Sequence, residues 1–135
     1  MTGQFPGGEP GMPIHYTIST ALVVEDEALV RMLGLDILEE AGFHVLEASN
    51  ADEALAILGC GSEVHLLFSD INMPGSMDGL ELAAIVKHRW PRVRLLVTSG
   101  HRDMQSVQLP ETAKFIRKPW TSAALINCVR EFVNS

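Results

Sequence analysis

Five short strand-like runs, each closed by a polar or charged residue, alternate with stretches whose apolar residues recur at steps of three and four. Ala21–Val24 ends in Glu25-Asp26-Glu27, and His44–Ala48 leads to Asn50. Val64–Ser69 ends at Asp70, Val93–Thr98 runs into Ser99, and Phe115–Arg117 meets Lys118. Runs this short suit strands, whereas the segments between them carry the 3.6-residue period of amphipathic helices. Strict alternation of the two demands crossover connections, hence a parallel sheet with helices on both faces.

The helical segments carry their own punctuation. Val30, Leu33, Ile37 and Ala41 mark an inward face on the first, and Gly42 stands where a helix C-terminal glycine belongs. Asn50 with Glu53 makes a capping box for a second helix through about Leu58, stopped by Gly59 and Gly61. Leu80–Arg89, with Leu82, Ala83, Ile85 and Val86 inward, is a third, halted by Pro91. Thr121 caps a final helix that buries Leu125, Cys128, Val129 and Phe132. Only 14 residues separate Gly100 from Phe115, with Pro110 among them. The fourth helix must therefore be short, displaced or absent.

Five strands in 135 residues give one small α/β domain. The topology expected is a flavodoxin-like, doubly wound parallel sheet in the order 2-1-3-4-5. Residues 1–20, punctuated by glycine and proline, read as a flexible leader, and residues 21–135 as the domain. Ten Lys and Arg against 17 Asp and Glu leave a formal charge of −7, which argues against nucleic acid or an anionic membrane as partner. No apolar run reaches the roughly 20 residues of a membrane span, and no secretory signal opens the chain. Cys60 and Cys128 match neither a metal site nor a disulfide framework, which suits a reducing cytosol.

In a doubly wound sheet, chemistry lies beyond the carboxyl ends of the strands. Glu25, Asp26 and Asp70 meet there because strands one and three are neighbours in the expected order. Carboxylates so close repel, and either a proton or a divalent cation relieves them. An all-oxygen set with no Cys or His beside it suits Mg²⁺ (or Mn²⁺) and disfavours zinc. Strand four ends in Thr98-Ser99-Gly100, and alternation along a strand aims only one of the two hydroxyls at the acids. Strand five adds the ammonium of Lys118. A carboxylate nucleophile, a metal held by acids, a hydroxyl and a lysine make a phosphoryl-transfer site.

Four segments carry a resemblance. Leu22-Val23-Val24-Glu25-Asp26-Glu27, Ser69-Asp70-Ile71-Asn72-Met73-Pro74-Gly75, Val97-Thr98-Ser99-Gly100 and Phe115-Ile116-Arg117-Lys118-Pro119-Trp120 resemble the receiver domain of two-component response regulators. The likeness runs from about Ala21 to Val133. It implies that Asp70 is the phosphorylated aspartate, in a Mg²⁺-dependent reaction with a histidine kinase or histidine phosphotransfer protein. It further implies that Asp26 binds the metal directly, Glu25 through water, and Asn72 through its backbone carbonyl. Ser99 would be the switch hydroxyl, Lys118 the partner of the phosphoryl oxygens, and Phe115 the aromatic switch. Asn72 and His101 match the positions that tune dephosphorylation, and Lys118-Pro119 matches a cis peptide. Such a receiver is a cytoplasmic signalling module that catalyses only its own phosphorylation and dephosphorylation. With no DNA-binding output segment after the last helix, the chain is expected either to stand alone and signal by protein contact or to be a piece of a larger protein such as a hybrid histidine kinase. The shortened fourth helix resembles a divergent receiver group, and Ser76-Met77 lengthen the loop after Asp70 by one residue.

Bland readings compete at several positions. Asp70 could merely cap a loop, Glu27 could be a solvated helix-end charge, Phe115 a core aromatic and His101 a surface imidazole. Rival functions follow the same topology. A flavin-type binder needs a phosphate cradle after strand one, where Glu25-Asp26-Glu27 repels phosphate. An aspartyl phosphatase usually has a second acid two residues after its nucleophile, where this chain has Asn72. A receiver used only as a scaffold would have no need of the full set of acids, hydroxyl and lysine.

Overall fold

The computed structural model describes residues 19–100, 109 and 112–133. Five strands, β1 (Thr20–Val24), β2 (His44–Ala48), β3 (Leu66–Asp70), β4 (Arg94–Ser99) and β5 (Lys114–Arg117), alternate with α1 (Ala28–Glu40), α2 (Ala51–Gly59) and α3 (Gly79–Arg89) and end in α4 (Ser122–Val133). All pairings are parallel, in the order β2-β1-β3-β4-β5, so the flavodoxin-like doubly wound sheet is as expected. The shortening of the helix before β5 concerns residues 101–111, almost all of them outside the described residues, as are residues 1–18. Thr20, assigned to the leader by composition, already belongs to β1.

Alternation along the strands divides the core in two. Leu22, Val24, Leu67, Leu95 and Val97 pack with Ala54, Leu58, Leu82 and Val86 of α2 and α3. Ala21, Val23, Leu66, Phe68 and Leu96 pack on the other face with Ile37, Leu38, Leu125 and Val129 of α1 and α4. Both faces of the three central strands are dry, which is why their runs are apolar without a break.

One helix face differs from the periodicity. α1 buries Gly34, Ile37 and Leu38, while Leu33 and Ala41 are exposed. Gly34 is the point of closest approach: a Cβ there would sit 3.5 Å from Phe68 and Val23 and 3.6 Å from Trp120. The helix turns its bare backbone to the aromatic layer, and Leu33 swings outward with Leu29 and Met32.

Helix ends follow local chemistry. Gly42, at φ +104°, donates to Glu39 O at 3.0 Å, and Phe43 N–H reaches Leu38 O at 3.0 Å, a complete Schellman closure. The Asn50 side chain accepts from Glu53 N–H at 2.8 Å, but Glu53 turns instead to the Ser49 N–H and hydroxyl, at 2.7 and 2.9 Å. Those bonds hold the Glu53 carboxyl below its ordinary range. The reciprocal box forms at α3, between Asp78 and Glu81, at 2.9 and 3.0 Å. Its Asp-x-x-Glu spacing is visible in the sequence. Thr121 caps α4 as expected, accepting from Ala124 N–H at 3.1 Å.

Candidate functional site

Because every strand runs the same way, the residues that follow β1, β3, β4 and β5 share one rim. Glu25 and Asp26 follow β1, Asp70 ends β3, Ser99 ends β4, and Lys118 follows β5. Carboxylate oxygens of Glu25, Asp26 and Asp70 lie within 4.8 Å of one another. At an effective dielectric near 20, two such charges repel by about 3.5 kcal/mol. Lys118 Nζ answers this with ion pairs at 2.9 Å to Glu25 Oε1 and 3.1 Å to Asp70 Oδ2.

These groups differ in burial. Glu25 and Asp70 are 3% and 5% exposed, while Asp26 is open to solvent. Burial pushes the Glu25 carboxyl above its ordinary range despite the Lys118 hydrogen bond, and the nearby Asp70 charge adds to the rise. Burial opposes the charged form of Lys118 too, but its bonds to Glu25 and Asp70 outweigh that and raise its pKa.

The remaining partners aim the acids. Asn72 N–H donates to Asp70 Oδ1 at 3.2 Å, and Glu27 N–H donates to Glu25 Oε2 at 3.1 Å. Ser99 Oγ donates to Asn72 Oδ1 at 2.8 Å. Thr98 points to the other face of the sheet, where its Oγ1 accepts from the Trp120 indole N–H at 3.0 Å. Strand alternation thus puts Ser99, not Thr98, on the Asn72 side of the acids. The Lys118–Pro119 peptide is cis, and Lys118 N–H donates to Ser99 O at 3.0 Å. Asp26, Glu27, Asp70, Asn72, Gly100 and Lys118 line an open depression of about 490 Å³.

Among the sequence candidates, Glu25, Asp26, Asp70, Asn72, Ser99 and Lys118 therefore come together. Phe115 stands apart on β5, half-buried against the core layer of α2 and α3. His101 lies outside the described residues. Glu27 is the exposed residue before α1, without a side-chain cap. Three supports carry no obvious mark in the sequence. Arg31 of α1 donates from Nη1 to Glu25 O at 2.8 Å and from Nε to Glu47 Oε1 at 2.8 Å, bracing the loop that bears the acids. Gly79 N–H donates to Ile71 O at 2.9 Å, and a Cβ on Gly79 would overlap the Asp70 carbonyl. Ser76, in the lengthened loop, bonds Asp52 of α2 at 3.0 and 3.2 Å.

The donor set fits a hard divalent cation: carboxylate oxygens, one of them solvent-facing, with room beside them for water or substrate oxygens. Among the described residues, no helix is long and apolar enough to cross a membrane.

Comparison with known proteins agrees with this geometry. The response regulator receiver domain profile matches residues 21–130. The chain is 37% identical over 119 residues to the sensor kinase CckA of Brucella abortus, covering 85% of this chain and 12% of that protein. It is 36% identical over 121 residues to the hydrogenase transcriptional regulatory protein HoxA of Cupriavidus necator, covering 87% of this chain and 24% of that one. It thus spans a quarter or less of the length of these curated relatives. Among solved structures, a response regulator receiver protein from Sinorhizobium medicae superposes with a TM-score of 0.79 at 28% identity, over 87% of this chain and 96% of that one. The receiver domain of the hybrid histidine kinase CckA gives 0.71 at 30%, over 84% and 97%. A parallel sheet whose carboxyl rim gathers acids, hydroxyl and lysine, together with these matches, places the chain in the response regulator receiver domain family, the signalling receivers of two-component systems.

Proposed function

We propose that Asp70 accepts a phosphoryl group from the phosphohistidine of a histidine kinase or histidine phosphotransfer protein in a cytoplasmic phosphorelay. The observation that carries this reading is the Asp70 carboxylate itself. It is buried, held by Lys118 Nζ at 3.1 Å and Asn72 N–H at 3.2 Å, and borders the open depression. An Asp70 oxygen attacks phosphorus, the P–N bond to the donor breaks, and the departing imidazole takes a proton from solvent. Hydrolysis by water returns the carboxylate and releases phosphate. Nothing else is transformed, so the chain is a signalling receiver rather than an enzyme acting on a further substrate.

Glu25, Asp26, Asp70 and the carbonyl of Asn72 would hold Mg²⁺ (or Mn²⁺), which when bound offsets the charge on the phosphoryl oxygens. Lys118 neutralises the same group from the β5 side and holds Asp70 in place beforehand. Ser99 exchanges its bond to Asn72 for one to a phosphoryl oxygen, biasing a two-state equilibrium that Phe115 follows. Asn72 and His101 set how fast water regains the site. The donor is a protein, and the surface beside the site suits one. Leu29, Met32 and Leu33 of α1 are 80%, 55% and 49% exposed, directly after the loop bearing Asp26 and Glu27. The signal leaves by protein contact; an acidic chain of net charge −7 is poorly suited to reading DNA itself.

Intact mass after incubation with acetyl phosphate and Mg²⁺ tests the reading. One phosphoryl adduct is expected, lost in Asp70→Asn and lost on chelation. An unmodified parent chain, or an adduct that survives Asp70→Asn, overturns it.

A further inference from the structure

We propose that Trp120 is a positioning residue for this site, acting through Thr98 on the aim of Ser99; the inference rests on Asp70 as acceptor. Lys118, Pro119 and Trp120 leave β5 as one short segment that touches the end of β4 and the acceptor at separate points. Lys118 Nζ meets Asp70, Lys118 N–H meets Ser99 O at 3.0 Å, and the indole N–H meets Thr98 Oγ1 at 3.0 Å. Thr98 and Ser99 are consecutive and face opposite sides of the sheet. A bond that holds the Thr98 side chain on one side therefore steadies the backbone from which Ser99 projects on the other, where its Oγ meets Asn72 Oδ1.

The bond has no ready substitute. Thr98 and Trp120 are both buried, and the gap that they share with Val23, Val24, Glu25, Val30, Phe68 and Asp70 is about 10 Å³. That is no more than the least volume a single water needs. The indole itself cannot turn away: its ring packs on Phe68 with centroids 5.4 Å apart and planes at 58°, and its far edge lies against α1 at Gly34. The Thr98 carbonyl also accepts the N–H of Ile71, the residue after Asp70, at 2.9 Å. Trp120 thus anchors the one strand end that both carries the switch hydroxyl and adjoins the acceptor. A tryptophan in a core would fill this space equally well without its N–H mattering, so the hydrogen bond is what separates the two roles.

The experiment uses the full chain with acetyl phosphate and Mg²⁺, and reads the rate of phosphoryl adduct formation by intact mass. Thr98→Val and Trp120→Phe each keep most of the packing and remove one partner of the bond. Each is expected to slow adduct formation about three- to ten-fold, the scale of one lost hydrogen bond. The double variant is expected to be no slower than the slower single, because both remove the same interaction. Thr98→Ser restores the acceptor and the parental rate. The Trp120 indole N–H resonance, assigned by its loss in Trp120→Phe, should move on phosphorylation in the parent and not in Thr98→Val. Single variants that react at the parental rate, effects that multiply in the double, or a stationary indole resonance in the phosphorylated parent overturn the proposal while leaving Asp70 as acceptor. A parent chain that takes up no phosphoryl group defeats the acceptor reading, and this inference with it.

Discussion

Gly79→Ala sets two physical rules against each other. Gly79 opens α3, and helix propensity alone credits alanine over glycine with up to about 1 kcal/mol. The fold opposes this. A Cβ on Gly79 would overlap the Asp70 carbonyl oxygen and lie 2.8 Å from the Asp70 carbonyl carbon and from Ile71 Cα. All three are backbone atoms, so no rotamer relieves the overlap. Reaching ordinary contact near 3.4 Å moves the carbonyl carbon by about 0.6 Å and its oxygen further still, against the Gly79 N–H bond to Ile71 O and the Ser69 hydroxyl bond to Asp70 O. Overpacking costs about 1–3 kcal/mol, and an overlap with backbone that no rotamer relieves belongs at the upper end, about 2–3 kcal/mol. Less a propensity gain of about 1 kcal/mol, the net expectation is a loss of about 1–2 kcal/mol. For a domain of this size that lowers Tm by about 4–10 °C. Because the displaced carbonyl belongs to Asp70, phosphoryl uptake from acetyl phosphate should slow as well. Gly34→Ala is the matched control: its Cβ would meet Phe68, Val23 and Trp120 at 3.5–3.6 Å, an ordinary contact. It should hold or raise Tm. Thermal unfolding by circular dichroism and intact-mass kinetics read both variants. A Gly79→Ala chain as stable and as reactive as the parent refutes the reasoning, as does an equal loss in Gly34→Ala.

Three further expectations rest on other parts of the structure. The folded Glu25 pKa is raised, chiefly by burial, so its protonated form favours folding: that contribution is full below the unfolded pKa and is lost as pH rises through the folded one. In chelator at neutral pH, Glu25→Gln should therefore melt higher than the parent, with the difference closing as pH falls through the carboxylate range; a gap that widens on acidification contradicts this. Asp78→Ala removes one half of the α3 capping box and should lower stability by about 1 kcal/mol, read as a lower urea midpoint at unchanged slope. Cys60 is exposed, whereas burial and the nearby Glu131 charge raise the Cys128 pKa, so iodoacetamide at pH 8 should label Cys60 first; the reverse order in peptide mapping would be incompatible with the burial of Cys128.

Much of the candidate site was legible before any coordinates, and the reason is topological. In a parallel sheet all carboxyl ends meet at one rim, so reading the residue after each strand suffices to gather Glu25, Asp26, Asp70, Ser99 and Lys118. Other features needed the neighbours. The period of α1 pointed to Leu33, yet the helix packs on Gly34, because a residue without a side chain lets the aromatic layer approach most closely. Glu53 had the spacing of a capping box and chose Ser49 instead, while the same spacing at Asp78 and Glu81 closed properly. Local patterns of this kind name the candidates without ranking them.

The amino-acid order by itself determined the alternation of strands and helices, the parallel sheet and the identity of the acids, because these depend on residues close together along the chain. Tertiary structure decided that Ser99 Oγ bonds Asn72 while Thr98 Oγ1 turns to the Trp120 indole, and that a side chain at Gly79 would overlap the Asp70 carbonyl. The hydroxyls are settled by atoms whose residues stand far apart in sequence, Asn72 from Ser99 and Thr98 from Trp120, and Gly79 by the way the loop after Asp70 folds back on it. Distance and direction between such atoms exist only once the sheet has closed its register, and no periodicity encodes them.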